Sequence, residues 1–275
     1  MKKAMKLVIV LAAVIGFTLV ISCGGGSAPN IIGGGDIIGG GDNPDCSILG
    51  GHDWNWETYV SGSGVRICQR GNGCTATAGP GDIGPAGGII FYAEHFDVEG
   101  YIGTFPGYAA YYLEAWLTNE IDSKWGDTNL VPGITTFGGS KDSNISKIGN
   151  GRKDTQIIVM YMEDKGISDT AAQNAITPKG EKDDWFLPSF GELNLLYSKK
   201  DLVVTKSVAL GGGALISGSA VGPNVWSSSQ ADVNYAWCQN FGNGGKFEGT
   251  PGIETQGHKN YPGFIIASVR AIRAF

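Results

Sequence analysis

The hydrophobic pattern starts with an almost unbroken apolar run at residues 7–21, preceded by Lys2, Lys3 and Lys6. Such a run is shorter than the about 20 residues of a comfortable membrane span and fits a secretory signal. The next dense apolar block is Ile89-Ile90-Phe91-Tyr92, which follows the glycine-rich residues 81–88. Glycines followed by β-branched and aromatic residues predict a turn into a buried strand. Residues 111–116 predict a second strand. Residues 153–164 predict a helix, and residues 169–174 another, capped by Ser168 or Asp169. Strand patterns return at 224–229, 235–241 and 264–275, with Gly242-Asn243-Gly244-Gly245 as a hairpin turn. Strands at both ends with helices between them predict an α+β fold whose first and last strands pair.

Residues 183–197, Asp-Asp-Trp-Phe-Leu-Pro-Ser-Phe-Gly-Glu-Leu-Asn-Leu-Leu-Tyr, combine acids, aromatics and a helical pattern. Ser189 followed three residues later by Glu192 is a capping box, in which each side chain satisfies a backbone N–H of the other residue. Leu193, Leu196 and Tyr197 recur at helical spacing, and Lys199 and Lys200 suit a helix C-terminus. The stretch therefore reads as scaffold: a strand, a corner and a short helix, with Trp185 and Phe186 in the core and the aspartates in a loop. On this reading Glu192→Gln is neutral, since glutamine also reaches the cap N–H.

Net charge is −6, and loss of the three signal lysines makes the mature chain more acidic still. There is no basic cluster, so nucleic acid is not an expected partner. The signal run ends in Val20-Ile21-Ser22-Cys23-Gly24, which resembles the lipobox of bacterial lipoproteins. That resemblance implies a signal peptide at 1–22, Cys23 as the lipidated first residue, and a membrane held through the N-terminal lipid. Glycine rather than aspartate follows Cys23, so the inner-membrane retention rule does not apply and the outer membrane or cell surface is the expected address. Residues 23–45 contain a tandem Ile-Ile-Gly-Gly-Gly-Asp and read as a flexible tether.

Residues 46–79 form a small cysteine-bearing segment. Cys68 and Cys74 flank Gly71-Asn72-Gly73, a turn that can place them across a hairpin, which makes them the disulfide candidates in an oxidising compartment. Cys46, His52, Cys68 and Cys74 also form a zinc-type set, although their spacing differs from that of a zinc knuckle. The His52-Asp53-Trp54…Arg66-x-Cys68 pattern resembles small cysteine-bearing repeats of bacterial surface proteins and carries no function with it.

In residues 80–275 the residues offer little catalytic chemistry. His52, His95 and His258 form no H-E-x-x-H arrangement, and Ser227-Ser228-Ser229 lacks a G-x-S-x-G elbow. No catalytic residue, metal or cofactor is expected. Trp226, Tyr235 and Trp237 are the ligand-stacking candidates, with core as the competing assignment for each. Alternation places Arg270 and Arg273 on opposite faces, one buried against an acid and the other exposed.

Five blocks occur in order: GPAGGIIFY, DDWFLPSFGELNLLY, WSSSQ (226–230), AWCQNFGNG (236–244) and VRAIRAF (269–275). Together they resemble the Lcl C-terminal domain family, named after a bacterial collagen-like adhesin and classed with the C-type-lectin-like folds. The resemblance covers residues 80–275. It implies a mixed domain of twisted antiparallel strands and two or three helices, binding of an extracellular glycan or host matrix polymer or protein, and in some members a homotrimer. The 183–197 block is also similar to a segment of the formylglycine-generating enzymes, which use two redox cysteines. Here Cys238 is the single cysteine of residues 80–275. An enzyme of that kind and a purely structural envelope protein are the alternative functions.

Overall fold

The glycine-rich 81–88 segment feeds a strand, as its pattern predicts. The computed structural model describes Trp56 and residues 77–101, 103–137, 146–213, 224–244, 257–258 and 267–275, all within one of two units into which the chain divides, Gly40–Phe275. The strands are β1 (Ile89–Val98), β2 (Tyr108–Ala115), β3 (Glu120–Ser123), β4 (Asn224–Gln230), β5 (Tyr235–Asn240), β6 (Gly257–His258), β7 (Ala267–Val269) and β8 (Ile272–Ala274). Between β3 and β4 lie the helices α1 (Gly151–Asp164), α2 (Ala171–Ala175), α3 (Phe190–Ser198) and α4 (Lys200–Ala209). The architecture is α+β.

Two sheets are present among the described residues. One is antiparallel, in the order β1-β2-β8; the other runs β3-β7-β4-β5-β6 and is mixed, because β4 and β7 pair in parallel. The first and last strands thus share a sheet but do not pair: β2 lies between them, with Leu113 opposite Ala274 and Ala115 opposite Ile272. The expected single strand at 264–275 is split. Its first part serves the large sheet and its second the small one, and the chain changes sheet at Arg270-Ala271. Alternation therefore fails there, and both arginines are buried. Arg273 bridges Glu114 of β2 and Asp184. Among the described residues Arg270 has only a 3.5 Å contact to Ser207 Oγ, and burial pulls its guanidinium down to about 9.

Two further expectations change. A fourth helix follows the third directly: Lys199, where helix was expected to end, closes α3 and starts α4 at φ −111°. The sequence hid it because Lys-Asp-Leu-Val-Val-Thr-Lys is rich in β-branched residues, whose helix propensity is low. The cap of α2 is Thr170, in a full capping box with Gln173; Asp169 stands before it in the left-handed region, at φ 60°. Residues 242–244 turn the chain after β5, and β5 pairs antiparallel with β6, Tyr235 opposite His258; the rest of the expected hairpin lies outside the described residues.

The core has two main parts. One joins α1 and α2 to the large sheet through Trp125, Ile158, Met162, Trp185, Trp226 and Cys238. The other joins α3 to the small sheet through Ile89, Phe91, Leu113, Phe186, Leu193 and Ile272. Trp56 packs edge-on against Tyr112 and Phe275 and donates its indole N–H to Ile83 O at 3.1 Å.

Candidate functional site

The corner in the 183–197 block is built as its sequence predicts. Ser189 Oγ accepts the Glu192 N–H, and Glu192 Oε2 accepts the Ser189 N–H at 2.7 Å. Trp185, Phe186, Ser189 and Glu192 are all buried. The structure adds a bond that the motif does not contain: Glu192 Oε1 accepts the N–H of Gly149 at 2.7 Å. Burial pushes the Glu192 carboxyl upward, while the backbone N–H groups of Ser189, Gly149 and Gly151 hold it down in part. The loop before α1 is thereby tied to the start of α3. Gly151 has to be glycine: a Cβ there would lie 2.2 Å from Glu192 Oε2 and 2.7 Å from Ser189 N.

Thr155 makes the next link. Its hydroxyl donates to Gly151 O at 2.7 Å and accepts the Leu187 N–H at 3.0 Å, so α1 is pinned along residues 185–187. Phe186 in turn exchanges backbone bonds with Ile272 of β8, at 2.9 and 3.0 Å. Between these fastened elements lies a cleft of about 510 Å³. One wall is the Arg152, Gln156, Val159 and Met160 stripe of α1, the other is Asp183–Phe186, and Thr104, Phe105 and Ile176 complete the lining. Positions 152, 156 and 160 recur every four residues, so they share a helix face about 12 Å long.

The polar groups of the cleft differ in how far they are committed. The Arg152 guanidinium lies 5.0 Å from the Phe105 ring centre and 5.4 Å from that of Tyr108, with a weak 3.5 Å contact to Pro106 O. No carboxylate among the described residues pairs with it. Asp183 is exposed and makes no hydrogen bond or ion pair among the described residues. Asp184 is shared with Arg273 yet keeps 39% of its side chain exposed. Gln156 Oε1 is buried without a hydrogen-bond partner. Behind Arg273, burial pushes Glu114 up to about 7, against the pull of Arg273 and of the Gly88 N–H. Burial also raises the Tyr108 hydroxyl, to about 12.

The stacking candidates are not gathered here. Trp226 is fully buried and donates to Ser123 O at 2.8 Å; Trp237 is buried and donates to Phe137 O at 3.0 Å. Neither offers a ring face to a ligand, which gives both to the core. Tyr235 is half-buried at the start of β5 and lies outside the cleft lining. Ser227, Ser228, Ser229 and Cys238 are buried. Among the described residues no group of three or more His, Cys, Asp or Glu side chains is placed to hold a metal ion. Cys23 and the cysteines at 46, 68 and 74, with His52, lie outside the described residues.

No family model matches the chain, and no curated protein is significantly similar to it. Among solved structures it is similar to the crystal structure of a fimbrial protein from Bacteroides ovatus, with a TM-score of 0.47 and 12% identity over 73% of this chain and 47% of that one. The chain thus spans about half the length of that protein.

Sequence reasoning reached the Asp183–Phe186 wall and assigned its aspartates to a loop, without seeing that they face a cleft. It missed Arg152 and Gln156 altogether. The available signal was Gln156 and Met160, four apart on the predicted 153–164 helix, with Arg152 four residues before Gln156 and just outside it. What lies opposite a helix face is set by tertiary contacts, and periodicity does not carry that.

Proposed function

We propose that this chain is a lipid-anchored cell-envelope or surface lipoprotein whose 80–275 region is a binding domain of the C-type-lectin-like class, similar to the Lcl C-terminal family. It takes an extracellular ligand, a glycan or host matrix polymer, with the lipid on Cys23 holding it to the membrane and the 23–45 segment as tether. The observation that carries the binding reading is the cleft between α1 and Asp183–Phe186: a concavity of ligand-binding size with uncommitted polar side chains, set on elements fastened by Thr155 and Glu192. The lipobox-like 20–24 segment carries the anchor.

Two experiments test the two halves. A fatty-acid probe fed to cells making the full chain is expected to label it and to leave Cys23→Ala unlabelled; equal labelling of both sinks the anchor. A glycan array probed with the purified full chain is expected to give hits that weaken in Arg152→Met. Hits that ignore the cleft, or none, remove the binding reading. The formylglycine-generating alternative would have to run through Cys238, which is fully buried.

A further inference from the structure

The chemistry of the cleft selects among ligands more narrowly than its size does. Its polar groups are of opposite kinds. Arg152 offers N–H donors and a positive charge with no carboxylate to meet them. Asp183 offers a carboxylate with no partner among the described residues, and Asp184 retains an exposed part. Farther along the same helix Val159 and Met160 line the cleft, as does Ile176, and Met160 is 48% exposed. A wholly anionic ligand would meet Asp183 and Asp184, and a wholly cationic one would meet Arg152. A neutral ligand would leave both charges without partners. A ligand with both charges near each other and an apolar body meets these groups together: guanidinium takes carboxylate in a fork, the two aspartates take ammonium N–H, and the methionine adapts to the side chain.

We infer that the cleft takes a small zwitterion with an apolar side chain, an α-amino acid free or in a short peptide. Its carboxylate sits on Arg152, its ammonium on Asp183 and Asp184, and its side chain against Val159, Met160 and Ile176. The volume of about 510 Å³ has room for a dipeptide and falls within the roughly 300–1,000 Å³ of small-molecule sites. This inference rests on the cleft being the binding surface; it does not rest on the lipid anchor.

The test is calorimetric titration of the full chain in detergent with leucine, leucyl-leucine, leucinamide, N-acetylleucine and a neutral disaccharide. Leucine or the dipeptide is expected to bind, and whichever is tighter tells free amino acid from peptide. Blocking either terminus is expected to weaken binding about ten-fold or more, as the loss of a charge-assisted contact does. In Arg152→Met, leucine and leucinamide become equal; in Asp183→Asn, leucine and N-acetylleucine do. Both residues are at the surface without ion pairs, so unchanged melting temperatures are expected and serve as the control for folding. No binding of any zwitterion to the folded chain overturns the inference, as does binding indifferent to the blocked termini or to both variants. Glycan hits that Arg152→Met weakens, in a protein that ignores every zwitterion, would sink the ligand class and leave the binding reading standing.

Discussion

Glu192 was legible as a cap and illegible as a hub. The Ser189–Glu192 spacing predicts one bond to the carboxylate; the structure adds the Gly149 N–H on the other oxygen. That reverses the sequence-based expectation for Glu192→Gln. An amide has one acceptor oxygen, so its NH2 would face the N–H of either Gly149 or Ser189 inside the core. Leaving a buried donor unmet costs about 1–3 kcal/mol, and a lowered melting temperature of that order is expected. Ser189→Ala removes only the serine half of the cap and is expected to cost about 1 kcal/mol. Glutamine melting like wild type while alanine does not would show that the Gly149 bond carries nothing.

Among the elements, α1 carries the most consequence, since it forms one wall of the cleft and half of a core. Its extent was readable from hydrophobic spacing to within two residues, whereas its charge chemistry was not. Asp154 in its first turn is fully buried, and burial pushes its carboxyl from an ordinary 3.8 to about 7, with Thr135 holding it down in part. A carboxyl whose folded pKa is raised holds its proton more tightly in the folded state, so its contribution to stability is complete below about pH 4 and is lost as pH rises toward 7. Glu114 on β2 acts in the same direction over the same window. Thermal melts are therefore expected to show stability falling between about pH 4 and pH 7, and Asp154→Asn is expected to flatten that fall. An unchanged slope in the variant would assign the dependence elsewhere. The other element-scale lesson concerns the strands. Residues 224–230 and 235–240 announced themselves by short stretches holding Val225, Trp226, Tyr235 and Trp237. β3 and the break at Arg270-Ala271 did not, because a four-residue strand and a change of sheet are decided by partners far away in sequence.

For the whole molecule, Arg273 is the clip. It reaches from β8 to Glu114 on β2 and to Asp184 on the cleft wall, so one side chain ties the small sheet to the cleft. Arg273→Met keeps much of the apolar stem and strands the Glu114 carboxylate in the core, a change expected to cost about 3–5 kcal/mol. Protonating Glu114 relieves that loss, so the melting deficit is expected to be smaller at pH 5 than at pH 8; a deficit equal at both would place the cost in packing instead. The same pairing has a consequence in time. The β1–β2 hairpin is among the earliest parts of this domain to leave a ribosome, yet the strand that covers its far edge lies more than 150 residues later. At about 5–20 residues per second that wait is on the order of ten seconds. Throughout it, β2 offers an open, apolar edge of the kind that recruits stray strands. A chain with this topology needs an escort, or transport before folding, until its distant closing strand has been delivered.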